Sequence, residues 1–298
     1  MAFLTIFSAP KPFTNPQIAT IQRNAIQSWW HLPDVEMLLI GNETGVAEVA
    51  AEFGVKHLPD VACNAYGTPL ISSMFDLARR NSREPLLCIV NADILLMSDF
   101  VAAAHCVSRL TERFVIVGQR WDLDVRQPLD FSGDWESRLR DLVQERGALH
   151  RPAGSDYFIF PRGCFASVPD FTIGRAGWDN WMIYHARCQK WSVVDATASV
   201  MVIHQSHDYS HLPGGQPHYN LPETNVNIRL AGGAAITKFT LLDADRRLDG
   251  RKLLSPRRTL RKIIRDIETL PLLHWNNYAL TQRLSLISRR LRKKLRRL

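Results

Sequence analysis

Uninterrupted apolar runs alternate with segments of helical periodicity through the first half of this 298-residue chain. The runs lack the polar alternation of half-exposed strands, so they predict strands that are buried on both faces of a sheet. Such strands are predicted at 3–7, 35–40, 55–58, 86–90 and 114–123. Helices are predicted between them at 16–30, 44–53, 68–80 and 99–112. This rhythm predicts an α/β fold whose sheet is covered by helices on both faces.

The second half of the chain is less regular. Its pattern predicts helices at 134–147 and 177–188, a strand at 155–161, and one or two strands within 191–205. The stretch 206–234 is rich in His, Pro, Gly and Asn, which predicts mostly loop.

The C-terminal segment has its own pattern. Leucine and isoleucine recur at spacings of three and four within 278–298, and arginine and lysine fill the other positions. This pattern predicts a basic amphipathic helix. A shorter amphipathic helix is predicted at about 256–270, and Pro271 is expected to separate the two.

Charge is distributed unevenly along the chain. Residues 251–298 contain 15 basic and two acidic residues, a net charge of +13, whereas the rest contains 22 basic and 27 acidic residues, a net charge of −5. A basic tail on an acidic body indicates an anionic partner, either a membrane surface or nucleic acid. We favour an anionic membrane bound through 251–298, because the acidic body would repel nucleic acid and no recognition motif is present. Alternatively, the leucine stripe pairs with another helix.

Composition adds few further constraints. A hydrophobic share of 46% and a charged share of 22% are ordinary for globular proteins. The apolar start, 1–13, is too short and too interrupted by proline for a signal peptide or a membrane span. The five cysteines are scattered without metal-ligand spacing, which predicts free thiols in a reducing compartment. The expected location is therefore cytoplasmic, at the inner face of the membrane.

The most informative segment is the buried run 86–90 with the polar residues that follow it. The run stops at Asn91 and Asp93, which are spaced i, i+2. Ligands of open α/β sheets bind at the carboxyl ends of such strands, and a carboxylate there can hold a divalent cation that binds a diphosphate. The alternative is that Asn91 and Asp93 only form a turn and cap the next helix.

Two later clusters could belong to the same site. Asp179 follows Gly177 at a predicted helix start, where it could act as a general base or merely as a cap. Three histidines lie within eight residues after a predicted strand, and imidazoles there could complete a cation site. They are His204, His207 and His211, with Asp208 between them.

A second acidic pair competes with Asn91 and Asp93 for the cation. Asp122 and Asp124 form a true Asp-x-Asp sequence, with Arg120 two positions before it. Alternation along a strand would place both carboxylates on one face, where an arginine could pair with them instead. Both possibilities remain open from the sequence.

The order of these elements resembles that of GT-A-fold glycosyltransferases, the nucleotide-sugar-dependent kind, and specifically of inverting, family-2-like members. The resemblance covers about 1–235 and rests on Ser8 to Pro10, Asn64 to Gly67, Asn91 to Asp93, Asp179 and the late histidines. It implies a Rossmann-type mixed sheet flanked by helices. It further implies a nucleotide-sugar-binding half at 1–125, an acceptor half at 126–235 and a basic helical tail at 236–298.

The resemblance also assigns roles to residues. It implies donor contacts from Ser8, Ala9, Asn64, Gly67, Asn91, Ala92 and Asp93, acceptor contacts from Asp156, Tyr157 and Trp178, metal ligation by Asp93, His204 and His207, and Asp179 as the catalytic base. One departure is that Asn91 replaces the first acid of the family motif, so that Asp93 would carry the Mn²⁺ or Mg²⁺.

The implied activity is hexosyl transfer by single displacement from a nucleoside-diphosphate sugar, with UDP expected as the nucleotide, to a hydroxyl of a glycan or glycolipid. A nucleotidyltransferase of similar fold is an alternative, but the loop after the first strand, 8–12, contains no glycine. A non-catalytic protein that binds membrane or nucleic acid through its tail is another.

Overall fold

The computed structural model describes residues 2–207 and 221–295, with side chains in the last helix as far as Ser288. Its strands are β1 (Leu4–Ser8), β2 (Val35–Ile40), β3 (Lys56–Leu58), β4 (Leu86–Val90), β5 (Ile94–Leu95), β6 (Phe114–Val117), β7 (Arg120–Leu123), β8 (Ala148–Leu149), β9 (Tyr157–Pro161), β10 (Ser192–Asp195), β11 (Val202–Gln205), β12 (Arg246–Asp249) and β13 (Lys252–Leu254). Its helices are α1 (Pro16–Trp30), α2 (Val46–Phe53), α3 (Ile71–Asn81), α4 (Ser98–Ser108), α5 (Trp135–Arg146), α6 (Trp178–Cys188), α7 (Pro222–Leu230), α8 (Leu260–Trp275) and α9 (Tyr278–Leu295).

A nine-stranded mixed sheet forms the centre of the fold, in the order β13-β12-β10-β6-β9-β4-β1-β2-β3. Strand β9 runs antiparallel to both β4 and β6, and β13 runs antiparallel to β12. The other pairs in this sheet are parallel. The predicted α/β class, with a mixed sheet flanked by helices, is confirmed.

Both faces of the large sheet are buried, as the apolar runs predict. Along β4, Cys88 and Val90 pack into one apolar cluster while Leu87 and Ile89 pack into another. Alternate side chains point to opposite faces of a strand, so the continuous run fills both cores. The carboxyl ends of β1 and β4 therefore emerge together from a rigid, water-excluding platform.

A smaller four-stranded sheet lies beside it, in the order β5-β11-β7-β8. One of its faces packs against α5 through Leu95, Leu123 and Ile203, which contact Leu139 and Val143. Asp93, Asp122 and His204 fall at or next to these short strands. The small sheet is thus the platform of the candidate site.

The single strand predicted at 114–123 is wrong, because the chain changes sheets within it. Strand β6 belongs to the large sheet and β7 to the small one. The break falls at Gly118, where a Cβ atom would lie 2.7 Å from the Tyr157 hydroxyl oxygen. The same change of sheet separates β10 from β11 within 191–205.

The large sheet continues beyond residue 235. Strands β12 and β13 add its outer edge next to β10, which the sequence pattern did not predict. The helices α8 and α9 follow, but Pro271 does not separate them as expected. It lies inside α8, and the helix ends instead at Trp275, where the next residue, Asn276, has a left-handed φ of 50°. Within the described residues, no helix is long and apolar enough to cross a membrane.

Candidate active site

The structure brings Asp93, His204 and His207 together, although they are far apart in the sequence. Asp93 lies between β4 and β5, and His204 on β11 pairs in register with Ile94 of β5. The Nε2 atom of His207 lies 3.1 Å from the Asp93 Oδ2 atom. One ligand atom from each of the three residues lies within 4.8 Å of the others, a spacing that suits a single metal ion.

Asp93 is a buried carboxylate in positive surroundings. Burial opposes its ionisation, but the hydrogen bond from His207 and the charges of Lys11 and the two histidines outweigh this and hold the pKa of Asp93 far below its usual value. Its other oxygen, Oδ1, is buried and has no hydrogen-bond partner among the described residues. An ionised, buried oxygen without a partner is costly, so this position favours a cation.

Lys11 is a member of the site that the sequence analysis missed. Its Nζ atom lies 3.7 Å from Asp93 Oδ2 and 3.4 Å from His207 Nε2. The buried Gln22 side chain fixes the Lys11 backbone by accepting from its N–H at 2.6 Å and donating to its carbonyl at 2.9 Å. Its position in the loop directly after β1 is the signal that could have identified it, since that loop opens at the same sheet edge.

Asp122 orients the neighbouring histidine. Register places Asp122 of β7 beside His204 of β11, and His204 Nδ1 lies 3.2 Å from Asp122 Oδ1. The other Asp122 oxygen lies 2.6 Å from His150 Nδ1, and Arg120 donates to Oδ1 at 3.0 Å. Although burial opposes ionisation, these contacts hold the pKa of Asp122 below its usual value. Burial lowers the pKa of His204, which favours the neutral imidazole that can bind a metal.

The two competing acidic pairs therefore contribute to the site differently. Asp93 lies in the three-residue group, whereas Asp122 contacts His204 from the adjacent strand. Asp124 is exposed and paired with Arg126 at 3.0 Å. Each of the two aspartates thus has an arginine partner, Arg120 for Asp122 and Arg126 for Asp124.

Asp156 is held by two fixed partners. Arg120 donates to both of its carboxylate oxygens at 2.8 Å, and the Asn91 amide donates to Oδ1 at 3.0 Å. Asn91 is therefore directed at Asp156. An aspartate at position 91 would instead bring two carboxylates together, which explains the amide physically.

Asp179 lies in the first turn of α6, close to Asp156. Burial raises the pKa of the Asp179 carboxyl, and the negative charge of Asp156 adds to this, while backbone N–H groups including that of Asn180 partly offset it. The Gly177 N–H lies 3.4 Å from Asp179 Oδ1, so the carboxylate also contacts the helix start. A carboxylate with a raised pKa is suited to accept a proton near neutral pH.

The residues expected at the nucleotide end have their polar groups engaged by the protein. The Ser8 hydroxyl is buried and donates to the Val90 carbonyl at 2.6 Å, and Ala9 follows it at the end of β1. Asn64 shapes its own turn, since its Oδ1 atom accepts from the N–H groups of Tyr66 and Thr68. Gly67, with a φ of 80°, completes that turn.

Asn64 also connects two parts of the fold. Its amide donates to Glu223 Oε1 of α7 at 2.7 Å. Arg175 holds the other Glu223 oxygen at 2.8 Å. The Asn64 turn is thus bound to α7, and these contacts account for its polar atoms without a ligand.

The two aromatic residues expected to contact the acceptor, Tyr157 and Trp178, are buried. Tyr157 is 1% exposed and packs against Phe100, because it lies on the central strand β9. Trp178 is 5% exposed and packs against Phe158. Neither ring offers the open face that stacking on a sugar requires. Ala92 lies at the site edge between Asn91 and Asp93, whereas Asp208 and His211 lie outside the described residues.

No protein-family model and no curated protein matches this chain. It is similar to solved structures, which include nucleotide-sugar glycosyltransferases. One is a mannosyltransferase from Pyrobaculum calidifontis in complex with GDP-Man and Mn²⁺, with 12% identity, 70% of this chain and 58% of that chain covered, and a TM-score of 0.43. Another is glucosyl-3-phosphoglycerate synthase from Mycobacterium tuberculosis in complex with Mn²⁺, UDP and phosphoglyceric acid, with 12% identity, 69% and 72% covered, and a TM-score of 0.42.

A third is a putative nucleotide-diphospho-sugar transferase from Desulfovibrio desulfuricans G20, with 11% identity, 56% and 66% covered, and a TM-score of 0.33. The chain thus spans 58% of the length of the mannosyltransferase and 66% of that of the Desulfovibrio protein. At these TM-scores the likeness identifies neither a site residue nor an activity.

Proposed function

We propose that the chain transfers a sugar from a nucleoside-diphosphate sugar to an acceptor hydroxyl. The observation that carries this proposal is the buried Asp93 carboxylate, with one oxygen unpartnered in the described structure, beside His204 and His207. This group lies at the carboxyl edge of β4, where α/β folds bind ligands. The expected donor is a UDP-sugar.

The residues present fit a divalent cation. Asp93, His204 and His207 would hold it. Asp122 would fix the orientation of the His204 ring through the Nδ1 atom, as carboxylates commonly do for metal-bound histidines. Two imidazoles with one carboxylate favour Mn²⁺ over Mg²⁺, which prefers oxygen ligands. The cation would supply positive charge that neutralises the leaving nucleoside diphosphate.

Lys11 would add a second positive charge for the diphosphate. Its ammonium contacts Asp93 and His207 in this structure, on a backbone that Gln22 fixes. A cation on Asp93 would repel the ammonium, and a diphosphate would attract it. We therefore propose that the Lys11 ammonium binds the phosphates of the donor.

Asp179 is the proposed general base for the acceptor hydroxyl. Its raised pKa makes it a better proton acceptor than an ordinary carboxylate. Asp156 lies next to it and is held by Arg120 and Asn91, and we assign the sugar hydroxyls to this polar cluster. A glycan or glycolipid acceptor remains the proposal, with the basic tail favouring one that is borne on a membrane.

Isothermal titration with UDP, GDP and CDP, each with and without Mn²⁺, tests the proposal. We expect one diphosphate to bind only when the cation is present. Asp93→Asn should abolish this binding because the amide lacks the ligand charge. Asp124→Asn is the matched control, because Asp124 is an exposed carboxylate paired with Arg126 outside the site.

Two results would contradict the proposal. One is an absence of binding by all three diphosphates to the folded protein. The other is equal Mn²⁺-dependent binding in Asp93→Asn and wild type, which would move the cation away from the three-residue group.

A further inference from the structure

Helix α8 exposes an apolar stripe to solvent. Leu260, Ile263, Ile267 and Leu270 recur at spacings of three and four, which places them on one helix face. They are 61%, 46%, 55% and 42% exposed, respectively. Helices of globular proteins normally direct such a stripe towards the core.

The side chains by which α8 packs on the rest of the protein are both polar and apolar. Arg265 donates to both carboxylate oxygens of the buried Asp243, at 2.7 and 2.9 Å. Glu268 and Thr269 are also buried, together with Pro271 and Leu272, and Leu273 packs against an apolar cluster of the body. The exposed apolar stripe is therefore additional to the side chains that attach α8 to the body.

Helix α9 also exposes apolar side chains. Its buried side chains include Thr281 and Ser288, and the Ser288 hydroxyl donates to Glu268 of α8. Leu280, Leu286 and Ile287 are exposed. A polar contact thus joins the two helices, and the outer surface of the pair exposes apolar side chains, an arrangement suited to the interface of a membrane.

The exposed charges on this pair of helices and the segment before it are mainly positive. Arg257, Arg258, Arg261 and Arg283 are exposed. The acids are engaged locally, since Asp266 pairs with Lys262 at 2.8 Å and Glu268 is buried beside Arg265. A positively charged surface favours binding to an anionic surface over a neutral or basic one.

We propose that the C-terminal hairpin, defined as α8 and α9, lies in the plane of an anionic lipid bilayer with its apolar stripe among the acyl chains. Because neither helix is suited to span a membrane in its described part, the geometry is interfacial. Trp275, 65% exposed at the end of α8, is the type of side chain that sits at headgroup level. The proposal concerns the hairpin alone, so it is independent of sugar transfer.

Co-sedimentation of the full chain with vesicles tests it. We expect binding to vesicles of phosphatidylcholine mixed with phosphatidylglycerol, and little binding to phosphatidylcholine alone. Replacing Arg257, Arg258 and Arg261 with glutamine should weaken binding about fivefold per charge. The double variant Ile263→Ser with Ile267→Ser should abolish it, and both residues are exposed, so the fold does not need them.

Leu110→Ser with Leu149→Ser is the matched control, because both leucines are exposed elsewhere on the protein. This control should bind vesicles as wild type does. Brominated lipid should quench tryptophan fluorescence in wild type, and this quenching should fall in Trp275→Phe. The same variants should bind the nucleoside diphosphate with wild-type affinity, so a failure of this proposal can be told apart from a failure of the proposed activity.

Three results would overturn the inference. The first is wild-type vesicle binding by the serine double variant. The second is a dimer in solution that the serine variant dissociates, without vesicle binding, which would assign the stripe to a second copy. The third is binding to duplex DNA but not to vesicles.

Discussion

Three neighbouring side chains show how charge is balanced at the candidate site. Asp156 is held by Arg120, and Asn91 donates to it from the end of β4. Asp93, two residues further on, meets Lys11 and His207 instead. Asn91 therefore has a role as an amide, because it donates a hydrogen bond to the Asp156 carboxylate. Asp93 then supplies the negative charge that would bind a cation.

Lys11→Met should change two affinities in opposite directions. Removing the ammonium beside Asp93 should raise the affinity for Mn²⁺ alone by a few fold to about tenfold, because the repulsion is lost. It should lower the affinity for the diphosphate measured in saturating Mn²⁺. Titration calorimetry measures both, and Lys56→Met, at an exposed lysine on β3, is the control. Changes of the same sign would contradict the assignment.

Asp179→Asn should reduce the rate of transfer by about 10²- to 10⁴-fold while leaving nucleotide binding intact. In wild type the rate should fall as pH drops through the raised pKa of Asp179, above the usual value of about 4 for aspartate. The stability of the fold should change in the opposite direction with pH. A raised pKa means that the folded state favours the protonated form of Asp179, so this residue contributes stability at low pH that is lost as pH rises through its raised pKa. Asp179→Asn should therefore keep or raise the melting temperature at neutral pH. A wild-type rate would show that Asp179 is only structural.

At the scale of elements, the site depends on the small sheet. Strand β11 brings His204 between the end of β4 and Asp122 on β7, so strand register fixes which side chains meet. A slip of one residue would direct Ile203 to the position of His204. The change of sheet at Gly118 is what makes β7 available to this platform.

Gly118→Ala should destabilise the fold by about 1–3 kcal/mol, the usual cost of overpacking. Its Cβ atom would lie 2.7 Å from the Tyr157 hydroxyl oxygen and 3.2 Å from the Thr197 backbone nitrogen. Chemical denaturation measures the change. Gly163→Ala is the control, since its Cβ atom would meet nothing within 4 Å. Equal stability of the two variants would show that the break at Gly118 tolerates a side chain.

The sequence predicted what depends on local pattern. Asp93 was identified because a buried run ends beside it, and His204 because it follows another strand. Lys11 was missed as a site member, and for Arg120 only the pairing with the nearby aspartates was considered, because the contacts of Lys11 with Asp93 and of Arg120 with Asp156 arise across the fold. The division of 114–123 and the edge strands β12 and β13 were missed for a similar reason, because sheet membership is set by distant partners.

At the scale of the whole molecule, Arg265 connects the C-terminal hairpin to the body. Its guanidinium binds Asp243 through two hydrogen bonds and lies 5.4 Å from the centre of the Phe239 ring. A planar, bidentate contact of this kind restricts orientation more than a lysine would. A membrane-bound hairpin would therefore hold the body in a defined orientation above the lipid.

Mn²⁺ should stabilise the entire fold if Asp93 and the histidines bind it. A cation at one hundred times its dissociation constant adds about 2.7 kcal/mol to the free energy of unfolding when only the folded chain binds it. Urea denaturation with and without Mn²⁺ measures this increment. Asp93→Asn should lose it and Asp124→Asn should keep it. An equal increment in both variants would place the cation elsewhere.

The long sequence separation within the site has a consequence for the integrity of the chain. Asp93 and His207 are 114 positions apart and yet meet at 3.1 Å. A ligand that joins them spans a segment of 114 residues, more than a third of the protein, and the intact chain between the two residues keeps them from separating when the fold opens locally. A single proteolytic nick inside that segment would remove this restraint and weaken ligand capture, although every residue that touches the ligand would still be present.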